Sequence, residues 1–382
     1  GNPITQICVG GQPFVVLLDT GGWTRWIPSS KSISEVFANR NKYAAPPETS
    51  VSMNQIYEAI YSGQKYTGNV IMDDFWPNNS TITIKKLADR LLPQITFVEM
   101  VIGHGAVDGR EGHDGILGMK KPSKNDKGYE YFKTTILDHV LNAGIVMDAV
   151  FTFRFCGQQG VRGDSWFTHG NLEFGGTRMG YFHPPMVRLP LFQATQWLVD
   201  ITSHHAYDME RNNIYFIKNT TNKVAESSSK AHSRFRLFLG AYQINIILAT
   251  ITNFSIQYGH VVLCNPCRAH IDTGSSETFA PVGALDELVK HSVVERHDNG
   301  VLHVGSENLH RLKPLKVKLH SHVFTLRPQE LTRLTAGYNY FAIQVDADVT
   351  QTAWTMGVSL LRQFYLLFDQ TNNQVGFAAV KC

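Results

Sequence analysis

The sequence predicts an all-β protein made of two pseudo-twofold related lobes with a few short helices, and three observations predict it. Short runs of β-branched and aromatic residues are bounded by Gly, Pro or Asn, which is the pattern of strands and turns. Helical periodicity is sparse. The chain also repeats itself: an apolar run enters Asp19-Thr20-Gly21, and Ile271 enters Asp272-Thr273-Gly274. A chain of 382 residues exceeds one ordinary hydrophobic core and suits two.

Phe14 to Leu18, Thr81 to Ile84 and Phe151 to Phe155 read as strands. Tyr131 to Ala143 reads as one helix, because Phe132, Ile136, Leu137, Val140 and Leu141 form an apolar stripe and Gly144 ends it. Ala284 to Lys290, with Leu285, Leu288 and Val289, reads as another. Residues 1–176 are expected to form an N-terminal lobe, closing after Gly170-Asn171-Leu172-Glu173-Phe174-Gly175-Gly176, and residues 177–382 a C-terminal lobe. Met209 to Ser233, rich in Asn, Ser and Lys, interrupts the second lobe. It marks an insertion around 207–250, expected to be an exposed surface loop.

The repeat extends past its first three residues. Trp26-Ile27-Pro28 follows the first Asp as Phe279-Ala280-Pro281 follows the second. Farther on, Ile116-Leu117-Gly118 and Thr355-Met356-Gly357 match in the same way. A single Asp-Thr-Gly is weak evidence. Two copies with matching neighbours and matching distant partners indicate a duplicated lobe. Each half then offers a carboxylate at the end of an apolar strand, on a tight Thr-Gly turn, and twofold packing would bring the turns face to face.

Composition removes several other classes. A chain that is 43% hydrophobic and 18% charged is a folded globular one. Its net charge of +3, with 16 histidines, comes without a basic stripe interleaved with aromatics, so no nucleic-acid partner is expected. No apolar run is long enough to span a bilayer. Gly1 to Gly11 does not resemble a signal peptide, so a processed or trimmed product is expected. His320-Ser321-His322 and His204-His205 lack a convincing third ligand, so no metal is expected. There is no Gly-x-Ser-x-Gly elbow and no phosphate-binding glycine loop, and no cofactor is expected.

Of the 5 cysteines, at least one must be free or paired with another chain. Cys264-Asn265-Pro266-Cys267 has redox or half-zinc spacing. Without a second pair or a helix beside it, a small structural disulfide is the expectation. Cys156 and Cys382 can pair if their strands share a sheet, leaving Cys8 free. Sequons at Asn78, Asn79, Asn219 and Asn253 permit N-glycosylation and favour the secretory pathway.

Phe14 to Pro28, Cys267 to Ser276, Gly112 to Gly118 and Trp354 to Val380, including Leu361-Arg362-Gln363-Phe364-Tyr365 and Phe368-Asp369, together resemble the pepsin family of aspartic proteases. The resemblance covers nearly the whole chain outside the insertion. It implies a bilobal pepsin-like fold with Asp19 and Asp272 as the catalytic dyad, and Thr20 and Thr273 as a hydrogen-bonded grip between lobes. Ile60 to Gly68 is similar to the family's β-hairpin flap. Tyr66 is a rival for the flap tyrosine, but the Thr67-Gly68 register selects Tyr61, whose phenol would bond to the indole of Trp26. Gly21, Gly63, Gln64, Gly274 and Ser275 would then face the substrate, partly through strand-like backbone bonds.

The implied activity is endopeptidase cleavage of peptides or proteins, with apolar residues around the cut, at acidic to mildly acidic pH. Statine-type inhibitors, a monomer and a secreted or endolysosomal/vacuolar location go with it. The alternative is a pepsin-fold binding protein that has lost catalysis. Gly22 stands where the family usually has a serine, Val358 where an acid is common and Thr355 where an aliphatic is common. The segment before Asp19 is also shorter than usual. Loss of a hydroxyl donor to an ionised Asp19 should raise its pKa and move the working pH toward neutrality.

Overall fold

The β-branched and aromatic runs of the first half assemble into one 7-stranded sheet in the computed structural model. It describes residues 2–61, 64–77, 91–103, 112–157, 169–193, 196–199, 205–208, 213–216, 234–239, 242–249, 254–335 and 337–382. Thr81 to Ile84 and the sequon asparagines lie outside these residues. The strands are β1 (Ile4–Val9), β2 (Gln12–Asp19), β3 (Arg25–Pro28), β4 (Val51–Tyr61), β5 (Gln64–Pro77), β6 (Leu92–Gly103) and β7 (Gly115–Gly118). Their order is β1-β2-β7-β3-β6-β5-β4, and β1 also pairs with β5, bringing the sheet round on itself.

The strands that carry the repeat are its most buried. β2 and β7 run parallel with Asp19 opposite Gly118, and β3 runs parallel to β6 and antiparallel to β7. β3 and β7 are buried at every position, as strands covered on both faces must be. The second half repeats this arrangement. Ala269–Ile271 runs parallel to Trp354–Met356, while Thr278–Ala280 runs parallel to Ile343–Val345 and antiparallel to Trp354–Met356. Trp26 therefore faces Ile116 as Phe279 faces Thr355, which gives the sequence repeat its structural meaning.

These later strands belong to a 10-stranded sheet that also takes in Val150–Cys156 and His169–Phe174 from ahead of residue 176. Its interior is aromatic: Phe151 stacks on Phe368 at 4.7 Å, and Trp197 meets Phe368 edge-on at 5.0 Å. One continuous buried core links Phe14 and Leu18 of the first half to Ile271, Met356 and Phe377 of the second. The turns carrying the two aspartates are thus anchored on a common interior.

Two sequence expectations need correction. The stripe from Tyr131 to Ala143 is split into α1 (Tyr129–Phe132) and α2 (Ile136–Asn142). Thr135 uses its hydroxyl as an N-cap and forms a capping box with Asp138, so it starts a new helix instead of continuing the old one. The insertion is more than a loop. His205–Asp208, Asn213–Phe216, Arg234–Leu239 and Tyr242–Ala249 form an antiparallel 4-stranded sheet of their own. The alternating run from Arg234 pairs Phe235 with Ile246 and Leu237 with Ile244. The helix read from Ala284 is α3 (Asp286–His291).

Cys264 and Cys267 form one disulfide and Cys156 and Cys382 another. The second follows from the shared sheet, where Arg154 pairs with Tyr365 and Ala379 with Phe364. Cys8 is the free thiol among the described residues. No helix among them is long and apolar enough to cross a membrane. Because the Cys156–Cys382 bridge closes a separation of 226 residues, Cys382→Ser should lower the unfolding free energy by about 2–4 kcal/mol. A urea titration checks this, and an unmoved midpoint would contradict it.

Candidate active site

The Thr-Gly turns after β2 and after Ala269–Ile271 meet across the pseudo-twofold axis. The Thr20 hydroxyl donates to the Ile271 carbonyl at 2.7 Å, and the Thr273 hydroxyl to the Leu18 carbonyl at 2.6 Å. Each hydroxyl also accepts the other threonine's backbone N–H, at 3.0 Å for Thr273 N and 3.2 Å for Thr20 N. Both side chains are buried. Every donor and acceptor in this reciprocal set is used, as a buried polar network requires.

The grip sets the carboxyls of Asp19 and Asp272 side by side: a side-chain carbon at Gly274 would lie 2.5 Å from Asp19 Oδ1 and 3.1 Å from Asp272 Oδ1. Asp19 Oδ1 accepts N–H from Gly21 at 2.8 Å and Gly22 at 2.9 Å. Asp272 Oδ1 accepts N–H from Gly274 at 2.8 Å, and its Oδ2 accepts the Ser275 hydroxyl at 3.0 Å. A side chain at Gly21 would come within 2.6 Å of the Asp272 carboxyl, and one at Gly274 within 2.5 Å of Asp19 Oδ1. Each lobe's glycine thus makes room for the other lobe's carboxylate.

The two carboxyls are not equivalent. Asp272 has a hydroxyl donor in Ser275, whereas the corresponding support for Asp19 is missing at Gly22. A Cβ at Gly22 would press directly on Asp19 Oδ2, so the carboxyl occupies space that a serine would claim. Burial, and then the negative charge of Asp272, push Asp19 up to about 7, against the lowering effect of the Gly22 and Gly21 N–H groups. Asp19 therefore holds a proton well into the range where an ordinary aspartate has lost it.

Lys120, half-buried, has its ammonium 5.0 Å from the centroid of the Trp23 ring. Burial lowers its pKa, while the charges of Asp126, Asp19 and Asp272 raise it. His270, two residues before Asp272, is pushed down by burial and then by Lys120. The dyad thus lies in the field of a nearby cation.

Above the dyad opens a cleft of about 920 Å³, bordered by Leu17, Trp26, Tyr57, Tyr66, Ile116 and Phe279 among others. The hairpin β4–β5 forms one side of it. Gly63 lies outside the described residues, and at Tyr61 and Gln64 the description covers the backbone alone, where the two residues pair. Among the described residues of the hairpin, the Tyr66 ring stacks on the Trp26 indole, at 5.4 Å and 25°. Sequence reasoning overlooked Tyr57, whose hydroxyl lies 3.2 Å from Thr24 Oγ1. Its period-2 position, four residues before Tyr61 on the same strand face, was the available signal. Asn2 also escaped notice; its amide donates to the Gly274 carbonyl at 3.0 Å and its oxygen accepts the Ser276 hydroxyl. Among the described residues no group of His, Cys, Asp and Glu has the makings of a metal site.

Comparison with known proteins agrees with this geometry. The sequence model for "Eukaryotic aspartyl protease" matches residues 4–230 and 239–380. Gastricsin from Suncus murinus is 22% identical over 380 residues, covering 98% of this chain and 80% of the relative. Pepsin A from Rhinolophus ferrumequinum is 23% identical over 377 residues, covering 97% and 78%. A pregnancy-associated glycoprotein from Equus caballus is 22% identical over 380 residues, covering 97% and 79%.

Two stability measurements test the site. Thr273→Val strips the buried Leu18 carbonyl of its donor and Thr20 N of its acceptor, and should cost about 2–4 kcal/mol in a denaturant melt. Asp19 favours folding below its ordinary pKa of 3.8, and that contribution is lost as pH rises through about 7. Asp19→Asn should therefore be the more stable chain at pH 7, by on the order of a few kcal/mol, with the gap closing toward pH 4. A constant gap across that range would contradict the raised pKa.

Proposed function

The chain belongs to the eukaryotic aspartyl protease family, and on that premise we propose that it is an aspartic endopeptidase in which Asp19 and Asp272 share one proton and activate one water. The observation that carries this reading is the close juxtaposition of two carboxyls from separate halves of the chain across the Thr20–Thr273 grip, and burial and the Asp272 charge raise Asp19 in keeping with it. Such a pair supplies an acid and a base at once; the aspartic proteases are the established example of this behaviour.

Asp19 is the acid, because it lacks the hydroxyl that Ser275 gives Asp272. Asp272 takes a proton from water as the oxygen attacks the peptide carbonyl carbon, and Asp19 gives its proton to the carbonyl oxygen. The resulting gem-diol collapses when Asp272 delivers its proton to the nitrogen and the C–N bond breaks. A diol proton returns to Asp19, leaving a carboxylic acid, an amine and the starting dyad. Fixed N–H donors at Gly21, Gly22 and Gly274 hold both carboxyls in place without reorganisation.

A substrate would lie extended under the β4–β5 hairpin, with Gly63 and Gln64 offering backbone and Tyr61 forming part of the pocket wall. Leu17, Trp26, Ile116 and Phe279 border the cleft and favour apolar side chains around the cut. The lobe boundary is read after residue 176. The disulfides suit an oxidising compartment, hence the secretory pathway.

Cleavage of a quenched peptide library from pH 2 to 8 tests the proposal. Asp19→Asn and Asp272→Asn should each lower turnover by about 10²–10⁴-fold. The native chain should lose activity at high pH with a limb near 7, where Asp19 gives up its proton. A maximum near pH 2 would contradict the assigned role of Gly22. Absence of turnover in a folded, fully processed chain would remove the endopeptidase reading.

A further inference from the structure

One wall of the cleft carries more positive charge than it neutralises. Glu58 on β4 meets Lys65 on β5 at 2.6 Å and Lys127, in the turn before α1, at 3.4 Å. Two ammonium groups therefore share one carboxylate. The lysines hold Glu58 below its usual range, so it stays an anion in mild acid. Asp126, beside Lys127 in sequence, accepts the Ser123 N–H at 2.8 Å and is not among the residues that border the cleft. On the opposite lobe Glu277 is matched by Arg333 at 2.6 Å. Glu58, Lys65, Lys127 and Glu277 all border the cleft, and its flap-side wall is left with a net positive charge.

Lys127 is held at this wall and is not a freely swinging surface lysine. Its carbonyl accepts the Trp23 indole N–H at 3.2 Å and the Tyr57 hydroxyl at 3.1 Å. Its ammonium lies 5.8 Å from the centroid of the Tyr57 ring. With 59% of its side chain exposed and the longer of the two contacts to Glu58, Lys127 is the cation available to an incoming anion. We propose that this wall is a subsite for an acidic side chain of the substrate, met by Lys127. The inference rests on the endopeptidase reading and narrows its substrates to peptides carrying a carboxylate at one fixed distance from the cut.

Matched peptides with Glu, Gln or Lys at each position on either side of one scissile bond test it. At one position kcat/KM should fall in the order Glu, Gln, Lys, with about a two- to fivefold step for an exposed charge pair at low ionic strength. Added salt should flatten that order. Lys127→Glu should reverse it, and Lys127→Gln should make Glu and Gln equal. The same peptides titrated by fluorescence polarisation onto the Asp19→Asn chain read the preference without turnover. Selective binding of the Glu peptide with no cleavage by the native chain would sink the endopeptidase reading and keep the subsite. Cleavage with Glu no better than Gln at every position, or a Glu preference unmoved in both Lys127 variants, would overturn the subsite alone. Binding of no peptide would overturn both.

Discussion

The reciprocal bonds of Thr20 and Thr273 are the constraint on which the rest of the site depends. They join two turns separated by about 250 residues of chain and leave no polar group in the joint unpaired. That joint sets the carboxyls of Asp19 and Asp272 side by side. Under the proposed mechanism the two then share a proton, because two adjacent negative charges in a buried site repel strongly. The glycines are part of the same constraint, since a side chain at Gly21 or Gly274 would wedge the carboxyls apart.

The remaining architecture holds this joint in place. Parallel pairing of β2 with β7, repeated by Ala269–Ile271 with Trp354–Met356, carries each aspartate to a strand end with its neighbours buried. One continuous hydrophobic core runs from one half to the other and ties the two turns to a common interior. Local asymmetry then divides the chemistry. Ser275 supports Asp272, whereas Gly22 offers Asp19 only a backbone N–H and the space its carboxyl occupies. Burial lowers the pKa of Lys120, and the charges of Asp126, Asp19 and Asp272 act against that lowering.

Much of this was legible because the chain states its central feature twice. The matched segments at Trp26, Phe279, Ile116 and Thr355 report strand pairings that later appear in register. What stayed hidden depends on side chains distant in sequence. Thr135 looked like one more residue of a helix until its hydroxyl proved to cap a new one. The insertion looked like a loop because its polar half masked the alternation that follows from Arg234. Lys127 and Asn2 reach the cleft through contacts that no local pattern encodes, whereas Tyr57 was marked only by its period-2 place on the strand. Among the described rings Tyr66 stacks on Trp26, while the side chain of Tyr61 lies outside the described residues.

The most direct test is a carbon-13 NMR titration of aspartate carboxyls in the native chain, Asp19→Asn and Asp272→Asn. A shared proton on Asp19 predicts one carboxyl titrating near 7 in the native chain. That signal should vanish in Asp19→Asn, and its midpoint should fall in Asp272→Asn, where the neighbouring charge is gone. If every carboxyl titrates in the ordinary aspartate range, or if the midpoint near 7 ignores Asp272, then the two aspartates do not act as a pair.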